Sequence, residues 1–550
     1  MDNVLAVAAP RQVPLWDRLP REIRMMVFGF LGSKNLFDNA RWSLFTYKDN
    51  GDEDFINPQS IATSADPDRY ATFASVSREW QGYFEEITFQ ALVLSPDRVN
   101  RLESLVSFCP RRLSVLRYIH LRIDLSEYDC RTCDKAETRS ERTTNNQKFT
   151  SSIVRLFDIM KHWPAIQGQG IRLELSAHSP SDYEHRFKRL EYHRHNECYG
   201  HHAQPDRLQW LYELEDMRHG WVPRKVDVQQ IVPRAAPIGA SMRVFGSGLS
   251  LEMDSLDLPS VPRVDTFAIR RQSRRAIKAI GGLNIILEAL PNLIRFSYET
   301  WHGINRQNCL RRDRELKALM GCVLAHENLE SVWIFKNFEN QTSHNYNQKR
   351  GVMPRSDPSL GQFLAESSRN IEFLRLSFVT DAMDFFQAFW LSQPALPPPS
   401  EMRWHKLVLL VMTCGDLRED GRPETVIETA ARAAMNMPKL TMMSIWNCGK
   451  GHGAFMEYAR CWEDRITPSL TIGSTWDHEL SHESRTLWQQ VADLHQCRSF
   501  EFQHMKLKAK RMTCYTSLAN PYRQRQMYIP DVGGLSSRME MNFEERVKWR

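Results

Sequence analysis

The chain has 550 residues, a formal net charge of +6, and 42% hydrophobic and 25% charged residues, which is the composition of an ordinary soluble protein. The small basic excess argues against a nucleic-acid binder, because such proteins usually concentrate basic residues on one face. No stretch approaches the roughly 20 apolar residues that span a bilayer, and the N-terminus lacks the basic region of a secretory signal. Eleven scattered cysteines indicate reduced thiols rather than a disulfide framework. We therefore expect a cytoplasmic or nuclear protein.

The first organised segment, residues 14–31, reads PLWDRLPREIRMMVFGFL. Pro20 stands where a helix can begin, since the N–H that proline lacks is not needed there. Apolar residues then recur with the helical period and predict one amphipathic stripe. The residues of that stripe are Ile23, Met26, Val27, Phe30 and Leu31. A second segment, residues 70–94, predicts two further short helical pieces.

Together the two segments resemble an F-box, the three-helix module that docks substrate receptors onto cullin–RING ubiquitin ligases. The family pattern LP-x-EI-x-x-x-[IV]-F-x-x-L is matched by residues 19–31, and the later SVSREW of residues 75–80 matches its second conserved segment. An insertion at about residues 33–69 separates the two halves. The resemblance implies that this module binds the linker subunit of the ligase, and through it the cullin. The residues implied in that contact are Leu19, Pro20, Glu22, Ile23, Val27, Leu31, Val76 and Trp80.

The segments LRYIHLRIDLSEYDC and IRLELSAHSPSDYEHRF resemble stretches that follow the F-box in filamentous-fungal F-box proteins. A helical stripe lies between them, so helices and strands are expected to alternate here. The residues of the stripe are Ile153, Leu156, Phe157 and Met160. Residues 131–148 are rich in serine, threonine and asparagine, which predicts an exposed connecting loop.

Cys130 and Cys133 form a CxxC pair that could contribute to a zinc site. The histidines and cysteine of a later segment could supply the other ligands: His193, His195, Cys198, His201 and His202. In a structural zinc finger the second ligand pair usually follows within about 12 to 20 residues, and here the gap is much longer. We therefore favour reduced cysteines and a solvated histidine-rich loop, with no bound metal or other cofactor.

A two-part unit recurs in the C-terminal half, in which a helical stripe precedes a short strand written as Leu-x-x-apolar-x-apolar. The strands begin at residues 293, 329, 371, 407 and 440, a spacing longer and less regular than the usual leucine-rich repeat. Each unit can bury its apolar side only by stacking on its neighbours, which would build a parallel sheet with helices outside. The alternative is an ordinary α/β domain with buried parallel strands.

These features predict an α/β (α+β) protein: an N-terminal three-helix F-box followed by an irregular leucine-rich-repeat-like α/β solenoid. The expected organisation is a flexible tail, an F-box with its insertion, a connecting α/β region with polar loops, and a substrate-recognition region. Their boundaries are 1–13, 14–95, 96–255 and 256–550.

The pentapeptide HELSH at residues 478–482 has the spacing of a zinc peptidase helix, in which two histidines bind metal and the glutamate activates water. The positions after the second histidine are Glu483 and Ser484, whereas the peptidase families have uncharged and then apolar residues there. A further helical stripe begins at Leu487. We therefore interpret HELSH as the polar segment that leads into a sixth repeat helix.

The resulting hypothesis is a non-catalytic adaptor that docks through the F-box and holds an unknown protein substrate on its repeats. Outward-facing strand positions are candidate substrate contacts: Glu330, Trp333, Arg375 and Trp446. The basic runs at residues 270–278 and 506–511 could act as nuclear signals, although such runs are more often solvated faces. The rival hypothesis is a scaffold that uses the F-box fold without assembling a ligase.

Overall fold

The computed structural model describes most of the chain between residues 16 and 518. The described residues are 16, 19–31, 67–166, 170–187, 216–219, 236–246, 248–252, 257–301, 306–338, 357–387, 404–460, 467–512 and 515–518.

A single sheet of twelve strands organises the described residues, and its strands lie side by side in the order in which the chain forms them. Neighbouring strands are parallel except at two pairs, β11 with β12 and β12 with β13, which are antiparallel. The short strands β4 and β6 pair separately. The strands are β1 (Ala91–Leu94), β2 (Tyr118–Asp124), β3 (Ile171–His178), β4 (Gly248–Leu249), β5 (Val264–Ile269), β6 (Ala276–Ile277), β7 (Arg295–Trp301), β8 (Ser331–Asn337), β9 (Phe373–Asp381), β10 (Leu409–Thr413), β11 (Met442–Gly449), β12 (His452–Ala459), β13 (Ser469–Ser474) and β14 (Glu501–Lys506).

The part of the chain that the structure describes contains thirteen α-helices. None of them has the length and apolar character that a bilayer crossing requires. They are α1 (Arg21–Leu31), α2 (Pro67–Ala74), α3 (Arg78–Thr88), α4 (Pro96–Leu102), α5 (Pro110–Val115), α6 (Arg139–Met160), α7 (Ile238–Ser241), α8 (Asn284–Glu288), α9 (Arg306–Val323), α10 (Pro358–Ser367), α11 (Ala382–Phe386), α12 (Pro423–Ala434) and α13 (His482–Leu494).

The main hydrophobic core lies between one face of the sheet and the helices that connect its strands. Because side chains alternate along a strand, β8 contributes Val332 and Ile334 to this core, and the stripe of α9 packs there through Leu319 and Met320. The core extends from β1 to β13 and joins the apolar faces of α6 and of α8 to α13 around it. The fold is therefore α/β, with a large and mostly parallel sheet.

From β8 to β12 the opposite face of the sheet is also buried, and aromatic residues cover it there. Trp333 of β8 and Trp446 of β11 lie in a second hydrophobic cluster with Phe378. Tyr515 and Leu518, near the end of the described chain, pack on the same cluster. The Tyr515 hydroxyl accepts a hydrogen bond from the Phe338 backbone N–H at 3.1 Å. Met512, Tyr515 and Leu518 thus help to cover the face of the sheet that the helices do not cover.

In its N-terminal half the same face is polar but equally buried. Arg270, directly after β5, lies 3.2 Å from Glu299 of β7 and 3.6 Å from Glu174 of β3. Glu174 also accepts a hydrogen bond from the Tyr118 hydroxyl at 3.0 Å. The Arg270 guanidinium stands over the Trp333 ring at 5.3 Å and so connects the polar half to the aromatic half.

The predicted alternation of helix and strand is confirmed: α8 to α12 precede β7 to β11 one by one, and α13 precedes β14. Two features differ from the prediction. The antiparallel strands β12 and β13 lie between the fifth and sixth predicted units, where no strand was expected. The predicted loop at residues 131–148 is wrong from Arg139 onwards, because Thr138 and Glu141 form a capping box that starts α6.

The packing of Tyr515 leads to a stability prediction. We expect Tyr515→Ala to lower the free energy of unfolding by about 3–5 kcal/mol, because it removes a buried ring from the aromatic cluster. Tyr515→Phe keeps the ring and should cost only about 1 kcal/mol for the lost hydrogen bond. Denaturant titration of the full-length chain measures both changes. If Tyr515→Ala unfolds at the same denaturant concentration as the parent, Tyr515 does not cover the sheet.

Candidate docking surface

The N-terminal helices pack around a small aromatic cluster that is separate from the core of the sheet. Phe28 of α1 is fully buried, and its ring lies 5.3 Å from Trp16 and 5.1 Å from Trp80 between centroids. Phe84 of α3 completes the contact at 5.8 Å from Phe28. Aromatic pairs at such distances contribute about 0.5–1.5 kcal/mol beyond the area they bury. The cluster therefore fixes α1 against α3.

Polar contacts at the edge of the cluster hold the same two helices. Glu79, in the first turn of α3, lies 3.1 Å from Arg24 of α1 and accepts a hydrogen bond from the Trp16 indole at 3.1 Å. Ser77 caps α3 by accepting from the Trp80 N–H. These contacts bring the turn before α3, which carries Val76, alongside α1.

Apolar side chains point outward from this scaffold. Leu19, Ile23, Met25, Met26 and Val76 are between 38% and 69% exposed. At 100° per residue, Ile23 and Met26 lie about 60° apart on α1, and Phe28 lies about 140° to 160° away from them. One side of α1 thus carries the buried aromatic ring while another presents aliphatic side chains to solvent, a feature typical of interaction surfaces.

Some of the predicted partner-binding residues are exposed on the surface, and the others are partly buried beneath it. The exposed ones are Leu19, Pro20, Glu22, Ile23 and Val76, and the partly buried ones are Val27, Leu31 and Trp80. The predicted stripe omitted Phe28, which is the residue of α1 that faces the aromatic cluster, because the stripe was chosen by apolar spacing alone. The Phe30 side chain and most of the insertion at residues 33–69 lie outside the described residues.

The predicted substrate contacts on the strands are largely wrong. Trp333, Arg375 and Trp446 are buried, and only Glu330 is exposed. The prediction assumed that the face of the sheet opposite the helices is open to solvent. The aromatic cluster and the adjoining polar contacts bury that face instead, so these three side chains cannot contact a partner in the folded protein.

The basic run at residues 270–278 is neither a solvated face nor an exposed nuclear signal. Arg270, Arg271, Arg274 and Arg275 are all buried. Burial on its own lowers the pKa of the Arg275 guanidinium, but Asp182 and Glu137, at 3.2 and 3.6 Å, raise that pKa above its ordinary value. The run at residues 506–511, in contrast, lies mostly exposed at the end of β14.

HELSH lies at the start of α13, as predicted, and it is not helical before its last residue. Ser481 caps the helix and His482 is its first residue, so the two histidines do not share a helical face as a zinc peptidase requires. His478 is largely buried and lies 2.8 Å from Glu424. The segment before Ser481 therefore lies against α12, which contains Glu424.

Cys130 and Cys133 occupy one turn, residues 129–133, but the later ligands proposed from the sequence do not join them there. His193, His195, Cys198, His201 and His202 lie outside the described residues. The histidines that the structure places beside Cys130 are His185 and His219. No local spacing could have indicated them, because they are 55 and 89 residues away along the chain.

Comparison with known proteins adds one finding. The model of a family of unknown function (DUF6546) matches residues 324–524, which is less than half of the chain. The matched stretch contains β8 to β14 and the HELSH segment. No curated protein matches the chain.

The buried ion pair of Arg275 provides a second prediction. Arg275→Met should lower the free energy of unfolding by about 3–5 kcal/mol, because Asp182 and Glu137 would stay buried without their counter-charge. The matched control is Arg155→Met, which removes an exposed pair with Glu103 and should cost less than about 1 kcal/mol. Equal effects of the two substitutions on denaturant unfolding would show that residues 270–275 are not buried.

The environment of Glu424 provides a third prediction, on pH dependence. Burial alone would raise the pKa of Glu424, but hydrogen bonds from His478, Ser484 and Ser481 outweigh it and lower the pKa to about 2. A carboxyl whose pKa falls on folding stabilises the protein above its unfolded pKa, near 4.5, and this contribution is lost as pH falls towards 2.

Glu424→Gln should therefore destabilise the chain at pH 6 and have progressively less effect as the pH falls from about 4.5 towards 2. Denaturant titrations at several pH values measure the difference from the parent. Glu479→Gln is the control, since Glu479 belongs to the same segment and is exposed. A destabilisation by Glu424→Gln that stays constant from pH 6 to pH 3 contradicts the assigned role.

Proposed function

We propose that the chain is a substrate-recognition adaptor of an SCF-type cullin–RING ubiquitin ligase and docks onto the linker subunit through its N-terminal helices. The observation that carries the proposal is the match of residues 19–31 and 75–80 to the F-box pattern together with the exposure of Leu19, Ile23 and Val76. Exposed aliphatic side chains on a rigid helix are the anchors that a helix-and-groove contact uses.

The scaffold beneath these side chains supports the same interpretation. Binding loses less conformational entropy when the anchor side chains are already held in place before the partner arrives. The aromatic cluster of Phe28, Trp80 and Phe84 and the Arg24–Glu79 ion pair hold α1 against α3 without any partner. The docking surface would therefore be preorganised.

In this proposal the chain performs no chemistry itself. Its contribution to ubiquitin transfer is proximity, since holding a substrate beside the charged enzyme makes the transfer effectively intramolecular. The part of the chain after the F-box-like helices, proposed as an irregular leucine-rich-repeat-like solenoid, would hold the substrate. The strand order supports that arrangement, because each helix–strand unit adds beside the previous one. Trp333, Arg375 and Trp446 are not part of the proposed substrate surface, whereas Glu330 stays a candidate.

We further propose that the protein works in the cytoplasm or nucleus, where these ligases assemble. If a basic run directs it to the nucleus, the run at residues 506–511 is the better candidate, because it is mostly exposed and the four arginines of the run at residues 270–278 are buried.

The test is binding of the full-length chain to the purified linker subunit, followed by capture of the cullin. The parent should bind both proteins. Leu19→Ala/Pro20→Ala should bind at least about tenfold more weakly, since truncating an interface anchor costs more than about 1–2 kcal/mol. Ile23→Asp should weaken binding further, because it places a charge in an apolar contact.

The matched control is Leu494→Asp, because Leu494 on α13 is 61% exposed and lies far along the chain from the proposed surface. This variant should leave binding unchanged. Failure of the parent chain to bind the linker subunit would overturn the adaptor proposal. The N-terminal helices would then belong to a scaffold that does not assemble a ligase.

A further inference from the structure

Three side chains from distant parts of the chain meet at one point beside the end of β3. The Cys130 sulfur lies 3.4 Å from Nδ1 of His185 and 3.6 Å from Nε2 of His219. All three potential ligand atoms lie within 4.8 Å of one another, and both histidines are buried. We call this group the Cys130–His185–His219 cluster.

Local structure presents each of the three side chains. Cys130 lies in a tight turn in which the Cys133 N–H donates to the Asp129 carbonyl at 3.0 Å. His185 follows the 3₁₀ turn Pro180–Tyr183, which is fixed by its own capping box. His219 ends a second 3₁₀ turn, Met217–His219. The cluster thus joins three separate segments at defined positions.

The outer nitrogen of each ring faces an oxygen acceptor. Nδ1 of His219 lies 2.7 Å from the Asp216 carboxylate, and Nε2 of His185 lies 3.5 Å from the Tyr128 carbonyl oxygen. When the outer nitrogen carries the proton, the inner nitrogen presents a lone pair towards the sulfur. Metal-binding histidines are held by the same arrangement, since a carboxylate or carbonyl on the outer nitrogen fixes the tautomer.

The sulfur–nitrogen distances in the cluster also fit tetrahedral coordination of zinc. With zinc–sulfur and zinc–nitrogen bonds of about 2.3 and 2.05 Å at a tetrahedral angle, sulfur and nitrogen should lie about 3.5 Å apart. The two observed separations, 3.4 and 3.6 Å, bracket that value. A neutral thiol carries only one proton and can donate to one ring nitrogen at a time, whereas a cation can bind all three atoms together.

We propose that Cys130, His185 and His219 bind one Zn²⁺ ion through Sγ, Nδ1 and Nε2. Mixed thiolate and imidazole ligands favour zinc over magnesium or calcium, which prefer oxygen ligands. The ion cross-links three segments of the chain and stabilises the fold, because the unfolded chain does not hold these ligands together. Cys133 is outside the ligand set, since its thiol donates instead to the Cys130 carbonyl at 3.4 Å.

The experiment measures the metal content of the purified full-length chain by elemental analysis. The parent should carry about one equivalent of zinc per chain. Cys130→Ser and His219→Ala should each lose it, while Cys133→Ser, the matched control from the same CxxC turn, should keep it. A parent without zinc, or equal zinc content in Cys130→Ser and the parent, overturns the proposal. Loss of zinc from Cys133→Ser also contradicts it, because the ligands would then include the CxxC pair.

A milder variant separates metal binding from folding. Asp216→Asn keeps the shape of the side chain that orients His219, and we expect it to weaken zinc affinity by about 10- to 100-fold in competition with a chelator. Addition of the chelator should also lower the melting temperature of the parent but not that of Cys130→Ser. Unchanged affinity in Asp216→Asn together with an unchanged melting temperature of the chelated parent would exclude the site.

Discussion

Both faces of a largely parallel sheet are normally buried, so each face needs other parts of the chain to cover it. The rest of this structure depends on that constraint. The connecting helices cover one face with a continuous hydrophobic core. Much of the other face is buried by two different means: aromatic residues that pack with Met512, Tyr515 and Leu518, and arginines paired with carboxylates beside β3, β5 and β7. Side chains that would otherwise be exposed on the strands are thereby removed from solvent. Apolar side chains of α1 stay exposed, and we propose that a partner binds there.

Much of the fold could be predicted because periodicity reflects local burial. The helical stripe ending at Met160 and the helix–strand units from Leu283 onwards were correctly identified, since each element buries one regular face. HELSH was also placed correctly at the start of a helix. The residues that follow HELSH made this possible. The apolar stripe begins only at Leu487, which places most of the pentapeptide before the helix.

The errors share one cause, which is that the sequence does not show what covers a given side chain. Trp333 and Trp446 alternate with core residues along their strands, as solvent-facing residues would, and only the aromatic cluster shows that they are buried. Arg275 looks like part of a solvated basic run because its partners, Asp182 and Glu137, are distant in the chain. His185 and His219 are likewise distant from Cys130 in the chain, and no local motif indicates that the fold brings them together. The sequence thus did not predict which side chains are buried by, or paired with, residues distant in the chain.

We propose that the N-terminal helices form a preorganised docking surface for the linker subunit of a ubiquitin ligase. Hydrogen–deuterium exchange of the full-length chain, with and without the purified linker subunit, tests it most directly. We expect the linker subunit to slow exchange at the backbone amides of residues 19–31 and 75–80, while β7 to β11 stay unchanged. Unchanged exchange over residues 19–31 under saturating linker subunit, or protection confined to the sheet, would contradict the claim.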